Sequence, residues 1–261
     1  MFYRSSILKR IAIINRFFPV HNSISKQGFY RSLRVLSSPD GQYSAAHTTK
    51  QSSYLESIHE KTASLFSNSH QMVSSVQGTF LKFLVQMSKA TRVLEIGTFT
   101  GYSALCMAEG LKGRGSEAKV VTLEKNIEHF KVAKENIESS GLGHLIELKL
   151  GDAIDTLLNL DNAAQYDLIF IDADKGNYIN YYNTVLERNL LSDDGIIVAD
   201  NVLFRGLVSQ VAKTKETKDL SQISSTVKHL HSFNEYIAND RRTTQVLLPC
   251  FDGITLIRKN V

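Results

Sequence analysis

Apolar residues recur along this chain in two rhythms, and the change between them marks its elements. From Thr91 onward, short apolar runs alternate with longer stretches whose apolar positions fall three and four residues apart, the signatures of strand and helix. The runs predict strands near residues 91–97, 119–124, 145–150, 167–172, 195–200, 243–249 and 253–258, with helices between most of them and no internal repeat. Only Pro249-Cys-Phe-Asp252 separates the last two strands, a connection short enough to demand an antiparallel hairpin. The expected fold class is therefore α/β: a Rossmann-like, seven-stranded, mostly parallel sheet with one antiparallel strand. Ahead of it, residues 54–67 predict a helix, and the polar, Ser/Thr-rich residues 40–53 a linker. Residues 204–222, with Lys213, Lys215 and Lys218 among few apolar positions, predict an exposed loop before a helix carrying His229 and His231. Two histidines two positions apart do not share a helical face and make a poor metal pair.

Charge changes the picture at the N-terminus. The formal net charge is +4, yet Arg4, Lys9, Arg10, Arg16, Lys26, Arg31 and Arg34 all precede the first acid, Asp40. Subtracting those seven from +4 leaves −3, so the rest of the chain offers no electrostatic footprint for nucleic acid. The leader is Ser-rich and sets Ile7, Ile11, Ile14 and Phe18 on one helical face, opposite Lys9 and Arg16. That is the composition of a mitochondrial transit peptide over residues 1–39, with an interfacial anchor or a disordered tail as competing readings. The expected location is the mitochondrion, otherwise the cytoplasm. No apolar run reaches the roughly 20 residues of a transmembrane segment. The two cysteines, Cys106 and Cys250, lack metal-site or disulfide-framework spacing, which fits a reducing compartment. A chain of 261 residues with 43% hydrophobic content suffices for one sizeable domain, expected over residues 54–261.

Candidate chemistry collects where the strands end, because ligands of open α/β sheets bind outside the carboxyl ends of the strands. One strand runs into Asp172 with Lys175 close behind, and the next ends in Asp200-Asn201. Asp172, Asp200 and Asn201 are oxygen donors suited to a hard divalent cation. Plainer readings exist: Asp-Asn after a strand is a common turn pair, and a lysine near Asp172 and Asp174 is commonly a surface ion pair. Upstream, Gly97 and Gly101 join strand to helix through a turn where backbone can approach a ligand, or simply make a tight connection. Their Gly-x-x-x-Gly spacing is not the dinucleotide fingerprint, and no P-loop lysine follows, so pyrophosphate cofactors are disfavoured. Glu124 falls where nucleotide binders hold a ribose diol, unless it only serves the helix start at Asn126. Gly151-Asp152-Ala153 is a small, acidic turn able to flank an adenine. A ribose and adenine site without a phosphate cradle points to S-adenosylmethionine.

With these residues assembled, the chain resembles the class I S-adenosylmethionine-dependent methyltransferases, and among them the cation-dependent O-methyltransferases typified by caffeoyl-CoA and catechol O-methyltransferases. The likeness spans about residues 71–258. It rests on Leu94-Glu-Ile-Gly-Thr-Phe-Thr-Gly-Tyr-Ser103, Phe170-Ile-Asp-Ala-Asp-Lys-Gly-Asn-Tyr178, Asp200-Asn-Val-Leu-Phe204 and Leu248-Pro-Cys-Phe-Asp-Gly-Ile-Thr-Leu256, in the family's order. The resemblance implies cofactor contacts at Glu95, Gly97, Ser103, Glu124, Asp152 and Ala153, with Asp172 near both cofactor and metal. It implies metal ligands at Asp172, Asp200 and Asn201, and Lys175 as general base toward the acceptor hydroxyl. It further implies magnesium, with calcium or manganese as alternatives, N-terminal helices that cover the site, and a homodimer. Phe251 stands where the family usually has a glycine beside the acceptor pocket. Gln71-Met-Val-Ser74 is similar to the segment the family lays along the cofactor, with the usual Met-Gln order inverted and Val76 in place of a common acid.

The implied reaction has a physical logic. A phenol with a pKa near 10 is mostly protonated at neutral pH, and a chelating dication lowers that pKa while fixing the acceptor in near-attack geometry. Two vicinal hydroxyls suit such chelation, so the implied partner is a small phenolic acceptor, a catechol or caffeoyl-type molecule. A lysine takes the proton only in its neutral form, which burial and a nearby dication favour. Two other classes stay open: a metal-independent methyltransferase of a protein or other nucleophile, and a catalytically silent cofactor-binding protein. The joint presence of Asp172, Lys175, Asp200 and Asn201 argues against silence.

Overall fold

The computed structural model describes residues 38–161, 165–214 and 223–260. The amphipathic leader face from Ile7 to Phe18, with Lys215 and Lys218, lies outside the described residues. In chain order the elements are α1 (Pro39–His47), α2 (Ser53–Leu65), α3 (Ser75–Met87), β1 (Arg92–Ile96), α4 (Tyr102–Leu111), β2 (Lys119–Glu124), α5 (Ile127–Ser139) and β3 (Ile146–Leu150). They continue as α6 (Ala153–Asn159), β4 (Tyr166–Ile171), α7 (Tyr178–Glu187), β5 (Leu191–Ala199), α8 (Val208–Thr214), α9 (Ser225–Ala238), β6 (Thr243–Leu248) and β7 (Ile254–Lys259).

The seven strands form one sheet in the order β3-β2-β1-β4-β5-β7-β6. β7 runs antiparallel to both β5 and β6, while the other pairs are parallel. The expected class, a mostly parallel sheet with one reversed strand, is what the chain forms. Side chains alternate across this sheet into two cores. Leu94, Ile96, Ile169 and Ile171 pack with Leu157, Tyr182, Val211 and Phe233 of α6 to α9. Val93, Leu168 and Phe170 pack with Leu55, Leu81, Leu105 and Ile137 of α2 to α5. Strands covered on both faces need apolar residues at nearly every position, which is why their runs are so legible. Each such side chain contributes ~1.5–3 kcal/mol by leaving water.

Three segments depart from expectation. The predicted linker holds α1: Ser38 caps it by accepting from the Gly41 N–H at 3.0 Å, and Pro39 opens its first turn. β5 begins at Leu191 rather than near Gly195, because polar Ser192-Asp-Asp194 sits in a register shift between Tyr166 and Leu168 of β4. Arg258 and Lys259 of β7 pair with Asp194 at 3.0 Å and Asp193 at 3.1 Å across that irregular stretch. The predicted loop after Phe204 turns tightly and then forms α8.

The N-terminal helices are fastened to α4 and to the glycine turn by polar contacts. Glu109 of α4 is 7% exposed and accepts from Ser52 at 2.9 Å, Tyr54 at 2.7 Å and Lys82 at 2.8 Å. The buried hydroxyls of Thr62 in α2 and Thr100 in the glycine turn meet at 2.8 Å.

Candidate active site

Backbone hydrogen bonds continue past the strand ends and put the candidate residues in one row. The Gly151 N–H donates to Glu124 O at 2.9 Å, Gly97 to Leu123 O at 3.1 Å, Asp172 to Ile96 O at 2.9 Å and Asp200 to Ile171 O at 3.0 Å. The ends of β3, β2, β1, β4 and β5 therefore stand side by side. At about 4.8 Å per strand, the row from Asp152 to Asp200 spans roughly 19 Å, crossing the β1/β4 switch point where such sheets bind ligands.

Gly97 is required by the protein itself. Its φ is +100°, and a Cβ there would lie 2.2 Å from the Asp172 carbonyl oxygen. The glycine thus lets β1 and β4 close on each other at the switch point, the tight-connection reading of this turn, whatever ligand it also approaches. Gly101, at φ +84°, is the left-handed cap of α4, and its nearest neighbour across would be Ala133 at 3.5 Å. Phe99 between them also has a positive φ, +51°, so the turn carries strain that its surroundings hold in place.

Glu95 is wholly buried, and Oε2 accepts from Thr122 Oγ1 at 2.5 Å. Oε1 has no hydrogen-bond partner among the described residues. Burial pushes this carboxyl up to about 8, against the opposing pull of the Thr122 hydroxyl. Ser103 is 8% exposed in the first turn of α4. An orphaned carboxylate oxygen beside the glycine turn suits a cationic ligand group such as the α-ammonium of an amino-acid cofactor.

Glu124 serves the start of α5, one of its two readings, and the glycine turn besides. Oε2 accepts from the Phe99 N–H at 2.8 Å and Oε1 from the Asn126 N–H at 2.8 Å, while Asn126 itself caps α5. One carboxylate thereby locks the glycine turn and the start of α5, and each oxygen keeps a lone pair for a diol. His129 Nδ1 lies 3.8 Å away, its ring edge-on to Phe99 at 4.7 Å and to Phe66 at 5.3 Å. Asp152 caps α6 by accepting from the Ile154 N–H at 2.9 Å, with Ala153 buried next to it.

At the other end of the row, Lys175 Nζ lies 2.8 Å from Asp172 Oδ1 and 2.6 Å from Tyr178 Oη. Asp174 accepts instead from Tyr181 and Asn177, one on each oxygen. Tyr178 is 1% exposed, and burial together with the charges of Asp172, Asp200 and Asp174 keeps it a neutral phenol. Asp200 is 1% exposed; Oδ1 accepts from the Asn201 N–H at 2.6 Å and Oδ2 from Gln77 Nε2 at 2.6 Å. Its carboxyl is pushed upward, first by burial and then by the negative charge of Asp172. Asn201 stands at φ +58°, at the start of a turn that the β6–β7 loop braces: Val202 and Leu203 donate to Gly253 O at 3.1 Å and Asp252 O at 3.0 Å. That bracing carries Cys250 and Phe251 to the same edge, with Phe251 ringed against Phe80 at 5.6 Å.

These residues fit a divalent cation by donor chemistry. Two mutually repelling carboxylates and an amide supply hard oxygen ligands, and a dication would relieve the repulsion that raises Asp200. No cluster of three or more His, Cys, Asp or Glu side chains is poised for a metal among the described residues; the candidate set reaches three donors only through Asn201. His229 lies against Gly176, its Nδ1 3.5 Å from where a Cβ would be.

Gln77 and Tyr178 escaped the sequence reading. Gln77 shares the buried stripe of α3 with Leu81, Leu84 and Val85, and a polar residue on an apolar stripe was the available signal. Ser74-Ser-Val-Gln77 also fits a capping box, and Ser74 does accept from the Gln77 N–H at 3.2 Å. The glutamine side chain goes to Asp200 instead of back to the cap.

A family model described as O-methyltransferase matches residues 44–260. The O-methyltransferase ankF of Aspergillus thermomutatus is 36% identical over 223 residues, 83% of this chain and 91% of that protein. A caffeoyl-CoA O-methyltransferase of Petroselinum crispum is 34% identical over 190 residues, 71% of this chain and 76% of that one. Among solved structures, the SAH-bound methyltransferase PaMTH1 of Podospora anserina superposes with a TM-score of 0.77 at 29% identity, covering 94% of this chain and all of that one.

Proposed function

The chain belongs to the O-methyltransferase family, among the class I S-adenosylmethionine-dependent enzymes, and from that membership we propose that it methylates one hydroxyl of a small vicinal diphenol with the help of a divalent cation. The observation that carries the reading is the convergence of Asp172, Lys175, Asp200 and Asn201 at the ends of β4 and β5. In this reading Glu95, Gly97, Ser103, Glu124, Asp152 and Ala153 hold the cofactor along the row of strand ends. Glu124 takes the ribose diol with its spare lone pairs, and Glu95 Oε1 takes the ammonium.

Asp172, Asp200 and Asn201 would hold the cation. Bound there, it would chelate both acceptor oxygens and lower the pKa of the phenol. Lys175, as the neutral amine, receives the proton that the acceptor oxygen gives up and becomes an ammonium, that oxygen bonds the sulfonium methyl carbon, and the carbon–sulfur bond breaks with its electron pair returning to sulfur. Phe251 and Phe80 form a wall that limits acceptor size.

The test is methyl transfer from labelled S-adenosylmethionine to catechol, substituted catechols and caffeoyl-CoA, with Mg²⁺, Ca²⁺ or Mn²⁺ and then with EDTA. Turnover that EDTA abolishes and Mg²⁺ restores is the expected result. Turnover indifferent to EDTA, with Asp200→Ala active, would favour a metal-independent enzyme; cofactor binding without turnover would favour a binding protein. The leader's composition supports delivery to mitochondria, and the family likeness supports a homodimer. Imaging of the tagged full chain and light scattering test these.

A further inference from the structure

We propose that Tyr178 is the positioning residue of Lys175, holding the lysine nitrogen at a fixed place and heading through a phenol oxygen that is itself tied to the ends of β4 and β5. The proposal rests on the reading of Lys175 as the proton acceptor.

A phenol oxygen has one proton to give and two lone pairs to accept with. The Tyr178 proton faces the Ile171 carbonyl at 3.2 Å and the Asp200 carbonyl at 3.1 Å, the last residue of β4 and the first after β5. The lone pairs are left for Lys175 Nζ at 2.6 Å. The ring is buried, edge-on to Phe233 at 5.4 Å, so water does not compete for the two carbonyl bonds. The phenol oxygen therefore has a position set by two strands.

That position is transmitted to the lysine. Cε, Asp172 Oδ1 and Tyr178 Oη take three of the four tetrahedral directions around Nζ, leaving one for a further partner. With the Tyr178 hydroxyl gone, a flexible four-carbon stem is held by Asp172 alone and turns about that single contact. Displacements of about 1 Å in a reacting group cost on the order of 100-fold in rate.

The experiment compares the full-length protein with Tyr178→Phe, which deletes the hydroxyl and keeps the ring. The first readout needs neither metal, cofactor nor acceptor: ¹⁵N NMR of the lysine side-chain nitrogens, with Lys175 identified by its absence in Lys175→Arg. Wild type is expected to show an ordered Lys175 Nζ, and Tyr178→Phe a mobile one. A mobile Nζ in wild type overturns the proposal whether or not the variant folds, and so does an equally ordered one in both proteins. The second readout is kinetic: kcat falls about 10- to 100-fold, with KM for acceptor and cofactor within about twofold of wild type. A tyrosine that merely braced the strands would lower thermal stability and leave kcat in place, and that result also overturns it. Wild type inert on every acceptor defeats the diphenol reading; the NMR comparison then decides on Tyr178 by itself.

Discussion

Gln77 Nε2 lies 2.6 Å from Asp200 Oδ2, joining the first turn of α3 to the end of β5 across 123 residues of sequence. Both groups are buried, so the bond fixes the orientation of a candidate metal ligand from outside the ligand set. Gln77→Leu leaves a buried carboxylate oxygen without its donor, at a cost of about 1–3 kcal/mol. Loss of such an outer partner also typically weakens metal affinity about 10- to 100-fold. Urea denaturation of the metal-free protein and Mn²⁺ titration followed by electron paramagnetic resonance read the two effects separately. Unchanged Mn²⁺ affinity would leave Gln77 without a part in holding the proposed cation.

The two glycines of the β1–α4 turn should respond unequally to alanine. Gly101→Ala meets only Ala133 at 3.5 Å and suffers from φ +84°, which costs about 1–2 kcal/mol for a residue with a Cβ. Gly97→Ala adds to the same conformational penalty a 2.2 Å collision with the Asp172 backbone, which no side-chain rotation relieves. The expected order is Gly97→Ala far less stable than Gly101→Ala, with the former also losing cofactor binding as β1 and β4 part. Thermal unfolding of both variants measures it, and equal losses would contradict the close approach.

Glu95 makes the stability of the ligand-free protein depend on pH. Its carboxyl is raised from 4.5 to about 8 by burial, so between those values the folded state binds more protons than the unfolded state. The associated stability is fully present below about pH 4.5 and is lost as pH rises through 8, at no more than about 1.4 kcal/mol per pH unit for one group. Glu95→Gln removes that slope: the variant matches wild type near pH 5 and exceeds it near pH 8. Asp200 is raised in the same direction and leaves a residual slope that added Mg²⁺ should flatten. Parallel denaturation curves for both proteins across this range would refute the role of Glu95.

The sheet was legible because its central strands, buried on both faces, are largely apolar, and the presence of one reversed strand because Pro249-Cys-Phe-Asp252 leaves room only for a hairpin. The acids at the strand ends were legible for a related reason: Asp172 and Asp200 interrupt apolar runs where the fold opens to ligands. What escaped detection depends on contacts between distant segments. Nothing local in Ser192-Asp-Asp194 announces a strand, since it is Arg258 and Lys259 on β7 that accompany it. Gln77 and Asp200 are paired only by the folding of α3 onto the sheet. Tyr178 sits inside a quoted motif, yet its partners Ile171 and Asp200 come from two strand ends, which a linear reading cannot bring together.

Phe251 gives the acceptor site a testable dimension. It occupies φ +55°, a conformation natural to glycine and costing about 1–2 kcal/mol for other residues. Its ring contact with Phe80 at 5.6 Å is worth about 0.5–1.5 kcal/mol beyond burial, so the strain and the ring pair nearly offset each other. Phe251→Gly relieves the strain and removes the ring, and the net loss of stability should stay below about 2 kcal/mol, the burial of a half-exposed side chain. The wall beside Asn201 opens at the same time. Relative to catechol, kcat/KM for a catechol bearing a bulky ring substituent should rise by about tenfold or more, the scale on which an apolar pocket discriminates one or two carbons. A substrate ratio unchanged from wild type would place Phe251 outside the acceptor pocket and make it only a buttress for the turn at residues 201–207.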